Sequence, residues 1–190
     1  MVLDPEIVMA IRIGLGAVLV LSALAKLRQV SIFRDQVAAY RLVPRTLLPY
    51  VSLLIISLEL TSGTALLVGV QVALMGALAG ALLLVFTVAA LLALVRGLRI
   101  PCGCLGDASG DVGPGLITRN VALLAAASFL VTGGSLPQPT MTLENAIGVI
   151  GTSGLLVVLA FAGSTVDRLF WWSRDARRGR PTARPQRGSL

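Results

Sequence analysis

Five apolar runs divide this sequence, at about residues 7–25, 47–70, 72–95, 116–131 and 143–162. A helix of about 20 apolar residues spans the roughly 30 Å hydrocarbon core of a bilayer, so most of these runs match that length. Composition agrees: 56% of the 190 residues are hydrophobic and 13% are charged, with a mean hydropathy of +0.89. A soluble domain would carry roughly a quarter charged residues. A transmembrane barrel would show segments of alternating polarity, about ten residues each, and the chain has none. Leu, Ala, Val and Gly dominate and aromatics make up 5%, which suits closely packed helices in lipid. The expected class is an all-α integral membrane protein: one polytopic domain over residues 1–172 and a basic, disordered tail over 173–190.

The connections carry their own signals. Residues 31–42 form an amphipathic stretch, with Ile32, Phe33, Val37 and Tyr40 set against Arg34, Asp35, Gln36 and Arg41. Such a stretch is expected to lie in the membrane interface. Gly69-Val70-Gln71 reads as a tight turn between the second and third runs, and Phe170-Trp171-Trp172 as an interfacial aromatic anchor. Lys26, Arg28, Arg34, Arg41 and Arg45 flank the first connection, Arg96, Arg99 and Arg119 the third, and the tail is strongly basic. With five spans these basic segments share one face. The positive-inside rule then predicts a plasma or inner membrane protein with its N-terminus outside and its C-terminus in the cytoplasm. The net charge of +7 therefore reads as topology and anionic-lipid contact, and no nucleic-acid partner is expected.

The chemistry concentrates in Arg99-Ile100-Pro101-Cys102-Gly103-Cys104-Leu105-Gly106-Asp107, after the third run. Cys102 and Cys104 are the only cysteines, and the chain has no histidine. Positive charge lowers a thiol's pKa and favours the reactive thiolate; Arg99 is three residues before Cys102 and Arg119 follows the loop. A disulfide closed across one intervening residue is strained and readily exchanged, which fits electron transfer better than stapling. Asp107 is a candidate proton acceptor, though loop acids are usually just solvated. The bland alternative is a pair of incidental small residues. Two sulfurs without histidine leave zinc or an iron–sulfur cluster short of ligands, so no metal is expected. Asn120 is expected to cap the fourth span, or to hydrogen-bond the dithiol loop.

Arg12 and Glu59 lie inside the first and second runs, where ionisable groups are costly and normally paired. Arg12 stands about 21 Å from Lys26 and Glu59 about 16 Å from Leu48 along their helices, so an antiparallel pairing of the two is expected. It would serve as a clamp, or as a proton-handling carboxylate beside a bound quinone.

Several stretches together resemble the DoxX/MauE group of small membrane proteins: Arg12-Ile13-Gly14-Leu15-Gly16, Ser22-Ala23-Leu24-Ala25-Lys26-Leu27 and Ala39-Tyr40-Arg41-Leu42-Val43-Pro44. Pro49, Glu59-Leu60, the Cys-Gly-Cys-Leu-Gly sequence and Arg119-Asn120 are similar to the MauE branch, where Phe commonly stands in place of Leu105. The resemblance covers about residues 8–130. It implies a redox-associated four-helix membrane core, with the fifth C-terminal helix outside it. Nothing in the residues points to methylamine itself, so that substrate is not carried over.

The resulting expectation is a thiol–disulfide redox protein. It would relay electrons between a thiol partner (thioredoxin-like, or a substrate protein) and the membrane through Cys102 and Cys104. No cofactor is demanded; a quinone is the natural electron sink, by analogy with disulfide-forming membrane enzymes of the vitamin K epoxide reductase type. The rivals are a non-catalytic accessory or assembly subunit of a larger membrane complex, a carrier of Cu(I) or a small molecule, and a scaffold with inert cysteines.

Overall fold

The computed structural model describes residues 5–98, 113–133, 149–151, 153–155, 157 and 158. They are helical with short turns, and no β-strand occurs among them. The elements are α1 (Pro5–Arg28), α2 (Val30–Ala39), α3 (Leu48–Val68), α4 (Val72–Val95) and α5 (Pro114–Gly133). All but α2 are long and apolar enough to cross a membrane. In lipid each backbone group must find its partner within the segment, which is why these runs become helices.

Helix ends follow local chemistry. α3 has proline in its first turn, where a missing N–H costs nothing. It closes at Gly69, whose φ of +87° is a left-handed conformation natural to glycine. The N–H groups of Gly69 and Val70 both donate to the Ala65 carbonyl at 2.9 Å. The turn expected at Gly69-Val70-Gln71 is present. α4 ends in the same manner, with Gly97 at φ +66° and the Leu98 N–H donating to the Ala93 carbonyl at 2.9 Å.

α1 packs on α3, α3 on α4, α4 on α5 and α5 back on α1, which closes a four-helix ring with α2 laid mainly against α3. α1 and α3 are antiparallel, and their backbones come close where Gly16 faces Gly63. A Cβ on Gly63 would come within 3.0 Å of the Gly16 carbonyl oxygen. Small residues permit such contact where no hydrophobic effect drives helices together.

Two different halves result. One end is an apolar core of Val8, Leu15, Leu66, Val72, Leu123 and Leu130 from all four helices of the ring. The other end gathers the buried polar residues Lys26, Gln36, Glu59 and Asn120. α4 ends and α5 begins at this polar end. Within the expected fifth span, the described residues between 149 and 158 are helical. Val149 packs on Met9 and Ala10, and the Ser153 hydroxyl donates to the Ala10 carbonyl at 2.9 Å. The rest of that span, the aromatic anchor and the tail lie outside the described residues.

Candidate functional site: a buried ion pair beside a membrane cavity

Lys26 closes α1, where a snorkelling lysine would be ordinary, yet it is only 2% exposed. α2 and α3 cover it. Its ammonium donates to Glu59 Oε1 at 2.5 Å and Oε2 at 2.6 Å, and to Ser22 Oγ, one turn back on α1, at 3.0 Å. The Phe33 ring of α2 and the Phe86 ring of α4 lie 5.2 and 5.0 Å from it, within cation–π range. One cation thus ties together α1, α2, α3 and α4.

This arrangement corrects the expected pairing of Arg12 with Glu59. The partner of Glu59 is Lys26, whose side chain is about 1% exposed against 3% for Glu59. Arg12 stands nearer the opposite end, about 21 Å away along α1. Its guanidinium packs against Gly69, leaving no room for a Cβ there, and its Nε has no hydrogen-bond partner. The reason is register. The chain leaves α1 through α2 before α3 begins, so α3 starts well beyond Lys26 and its middle, not its start, lies level with it.

A cavity of about 210 Å³ opens beside the pair. Its walls come from α2 (Phe33, Gln36, Val37), the following turn (Tyr40, Leu42, Val43), α3 (Val51, Ile55), α4 (Val85, Phe86, Ala89) and α5 (Leu116, Asn120), with Lys26 from α1. Gln36, expected on the polar face of the amphipathic stretch, is 93% buried and faces this cavity, being 7% exposed. α2 has a second helix to pack on, which reverses the environment expected at an interface.

Asn120 needs a second correction. α5 begins at Pro114, so Asn120 is in its second turn and caps nothing. It is 2% exposed, lines the cavity, and its Oδ1 accepts from Arg119 Nε at 3.3 Å and Nη2 at 3.1 Å. Arg99, Cys102, Cys104 and Asp107 lie outside the described residues. The two ends of their segment are nevertheless defined: Leu98 and Ile117 pack on one cluster formed by Ala90, Ala93 and Leu116. Leu116 is also part of the cavity wall.

The family model described as "Methylamine utilisation protein MauE" matches residues 4–133, more than two thirds of the chain. The chain belongs to the MauE family. It is 32% identical over 161 residues to "Methylamine utilization protein MauE" of Paracoccus denitrificans, covering 83% of this chain and 87% of that protein. It is 30% identical over 165 residues to the protein of the same name in Methylophilus methylotrophus, covering 85% and 86%. No solved structure matches the chain. Several apolar helices together with this family mark a multi-pass membrane protein. Lys26, Tyr40, Glu59 and Asn120, from four stretches that suggested the MauE group, all stand at the ion pair or the cavity. Sequence reasoning does not mark Lys26, Gln36 and Tyr40 as site residues; the Ser22–Lys26 spacing of one helical turn is the available signal.

Breaking a buried pair strands a charge in low dielectric, whereas replacing both partners by apolar residues removes that cost. Lys26→Met and Glu59→Leu alone should each destabilise the protein by about 3–5 kcal/mol, and the double variant by much less. Thermal unfolding in detergent of the four proteins measures the coupling; additive losses would show that the two groups do not depend on each other.

Proposed function

We infer that this MauE-family protein is a membrane thiol–disulfide redox protein, exchanging electrons with a thiol partner through Cys102 and Cys104. The observation that supports the reading is where the helices flanking the Cys-Gly-Cys sequence meet. Leu98 after α4 and Ile117 in α5 pack on one cluster, and that cluster's Leu116 forms part of the wall of the cavity beside the buried ion pair. Flanking residues packed beside a membrane cavity suit a dithiol that passes electrons between a protein outside the bilayer and an acceptor within it. Cys102 as thiolate attacks a partner disulfide and forms a mixed disulfide, releasing one partner thiolate. Cys104 then displaces the second partner sulfur, leaving the partner dithiol reduced and the Cys102–Cys104 disulfide formed. The reverse sequence oxidises a partner dithiol through the same mixed disulfide. The relatives' names supply the setting we assign to the chain, methylamine utilisation.

We also assign the polar end of the bundle to the cytoplasm, because Lys26, Arg28, Arg34, Arg41, Arg45, Arg96, Arg99 and Arg119 flank the connections on that side.

A Cys104→Ser variant should accumulate a mixed disulfide through Cys102, visible as a reducible adduct on non-reducing gels. Absence of an adduct from both single cysteine variants would sink the relay and leave a non-catalytic accessory subunit as the better reading. A membrane-impermeant maleimide applied to intact cells should leave Cys102 and Cys104 unlabelled; labelling from outside would reverse the orientation.

A further inference from the structure

We propose that the cavity beside the Lys26–Glu59 pair binds the head group of a lipid-soluble quinone. Three observations narrow the ligand to that class. The first is hydrogen bonding. Gln36 lines the cavity and is 7% exposed, so a ligand bound there meets its side-chain amide. Asn120 Oδ1 is occupied by Arg119, which turns the Asn120 amide NH₂ into a donor at the same wall. The Gln36 amide can both donate and accept and the Asn120 NH₂ donates, which suits a head group that accepts as a quinone carbonyl and donates as a quinol hydroxyl.

The second observation is charge. Among the described residues lining the cavity Lys26 is the only ionic one, and its three N–H groups are taken by Glu59 Oε1, Glu59 Oε2 and Ser22 Oγ. The site therefore carries no excess charge and no free ammonium donor, which favours a neutral ligand over a fatty acid or a phosphate. The third is shape. Phe33 and Phe86 line the cavity, and aromatic rings pack well against a flat ring, edge to face or offset. A volume of about 210 Å³ is below the roughly 300–1,000 Å³ that holds a drug-sized molecule, and so suits a ring without its tail. Val85, 62% exposed, forms part of the wall, so the cavity opens on the outer face of the bundle, where an isoprenoid tail can leave into lipid.

Binding stands apart from the thiol chemistry, but the quinone's role as electron acceptor rests on the redox reading. In that role the Cys102 and Cys104 dithiol becomes a disulfide, releasing two electrons and two protons. The quinone takes up both pairs and leaves as quinol.

The test is equilibrium binding of decylubiquinone to the purified full-length protein in nanodiscs, with empty nanodiscs as the partition control. Saturable binding near one per chain is expected. Gln36→Leu and Asn120→Leu should each weaken it about tenfold. Ala89→Phe, which fills the cavity from α4, should abolish it, and Leu53→Ala, on the exposed face of α3, should leave it unchanged. Circular dichroism and unfolding temperature of each variant separate lost binding from lost fold. Uptake no greater than partition, or equal binding by the folded Gln36→Leu, Asn120→Leu and Ala89→Phe variants, overturns the proposal. Equal binding of an alkylbenzene lacking carbonyls also overturns it, since the cavity would then be an acyl-chain groove. A Cys102→Ser/Cys104→Ser protein should bind as the parent does. Normal binding without thiol-dependent quinol formation by the parent protein would fail the redox reading while leaving the site intact.

Discussion

The contact on which the polar half of this bundle depends is the ion pair of Lys26 with Glu59. Two charges withdrawn from water are expensive, and neither is tolerable in a bilayer unless it meets the other with its remaining hydrogen bonds satisfied. Meeting that condition sets the vertical position of α3 against α1, because Glu59 must come within reach of the Lys26 ammonium, which extends back to Ser22. α3 then begins well beyond Lys26, and α2 fills the interval. The cavity lies where α2, α3, α4 and α5 surround the covered ammonium, so its existence follows from the register that the charges impose. The glycine contact between Gly16 and Gly63 lets the two backbones come close enough for the pair to form.

Periodicity and length made much of the fold legible. α4 occupies residues 72–95 as expected, and the turn at Gly69 to Gln71 follows from glycine's tolerance of positive φ. The errors came from long-range geometry. Pairing Arg12 with Glu59 assumed that α3 starts level with the end of α1, and no local signal reports how far a connecting helix carries the chain. The charged neighbours Arg34, Asp35 and Arg41 suggest a wet face for Gln36, yet α2 buries it at the cavity. By its apolar run the last ring helix would begin at Leu116, which makes Asn120 a candidate cap, whereas Pro114 already opens α5.

The site was legible in pieces and not as a whole. Glu59 stood out as a charge in an apolar run, while Lys26 looked like an ordinary basic end to a span. Only their tertiary contact makes Lys26 a buried residue. The MauE family match extends over α1 to α5, the elements that build the pair and the cavity. The Cys-Gly-Cys sequence falls within the same matched region, between α4 and α5.

Register is the claim on which everything else rests, and cysteine cross-linking tests it directly. In a Cys102→Ser/Cys104→Ser background, Lys26→Cys combined with Glu59→Cys should be bridged in membranes by a short bis-methanethiosulfonate reagent, which spans the gap left by the two long side chains. Arg12→Cys combined with Glu59→Cys should not. Cross-linking of the Arg12 pair in place of the Lys26 pair would contradict the register, and with it the ion pair and the cavity.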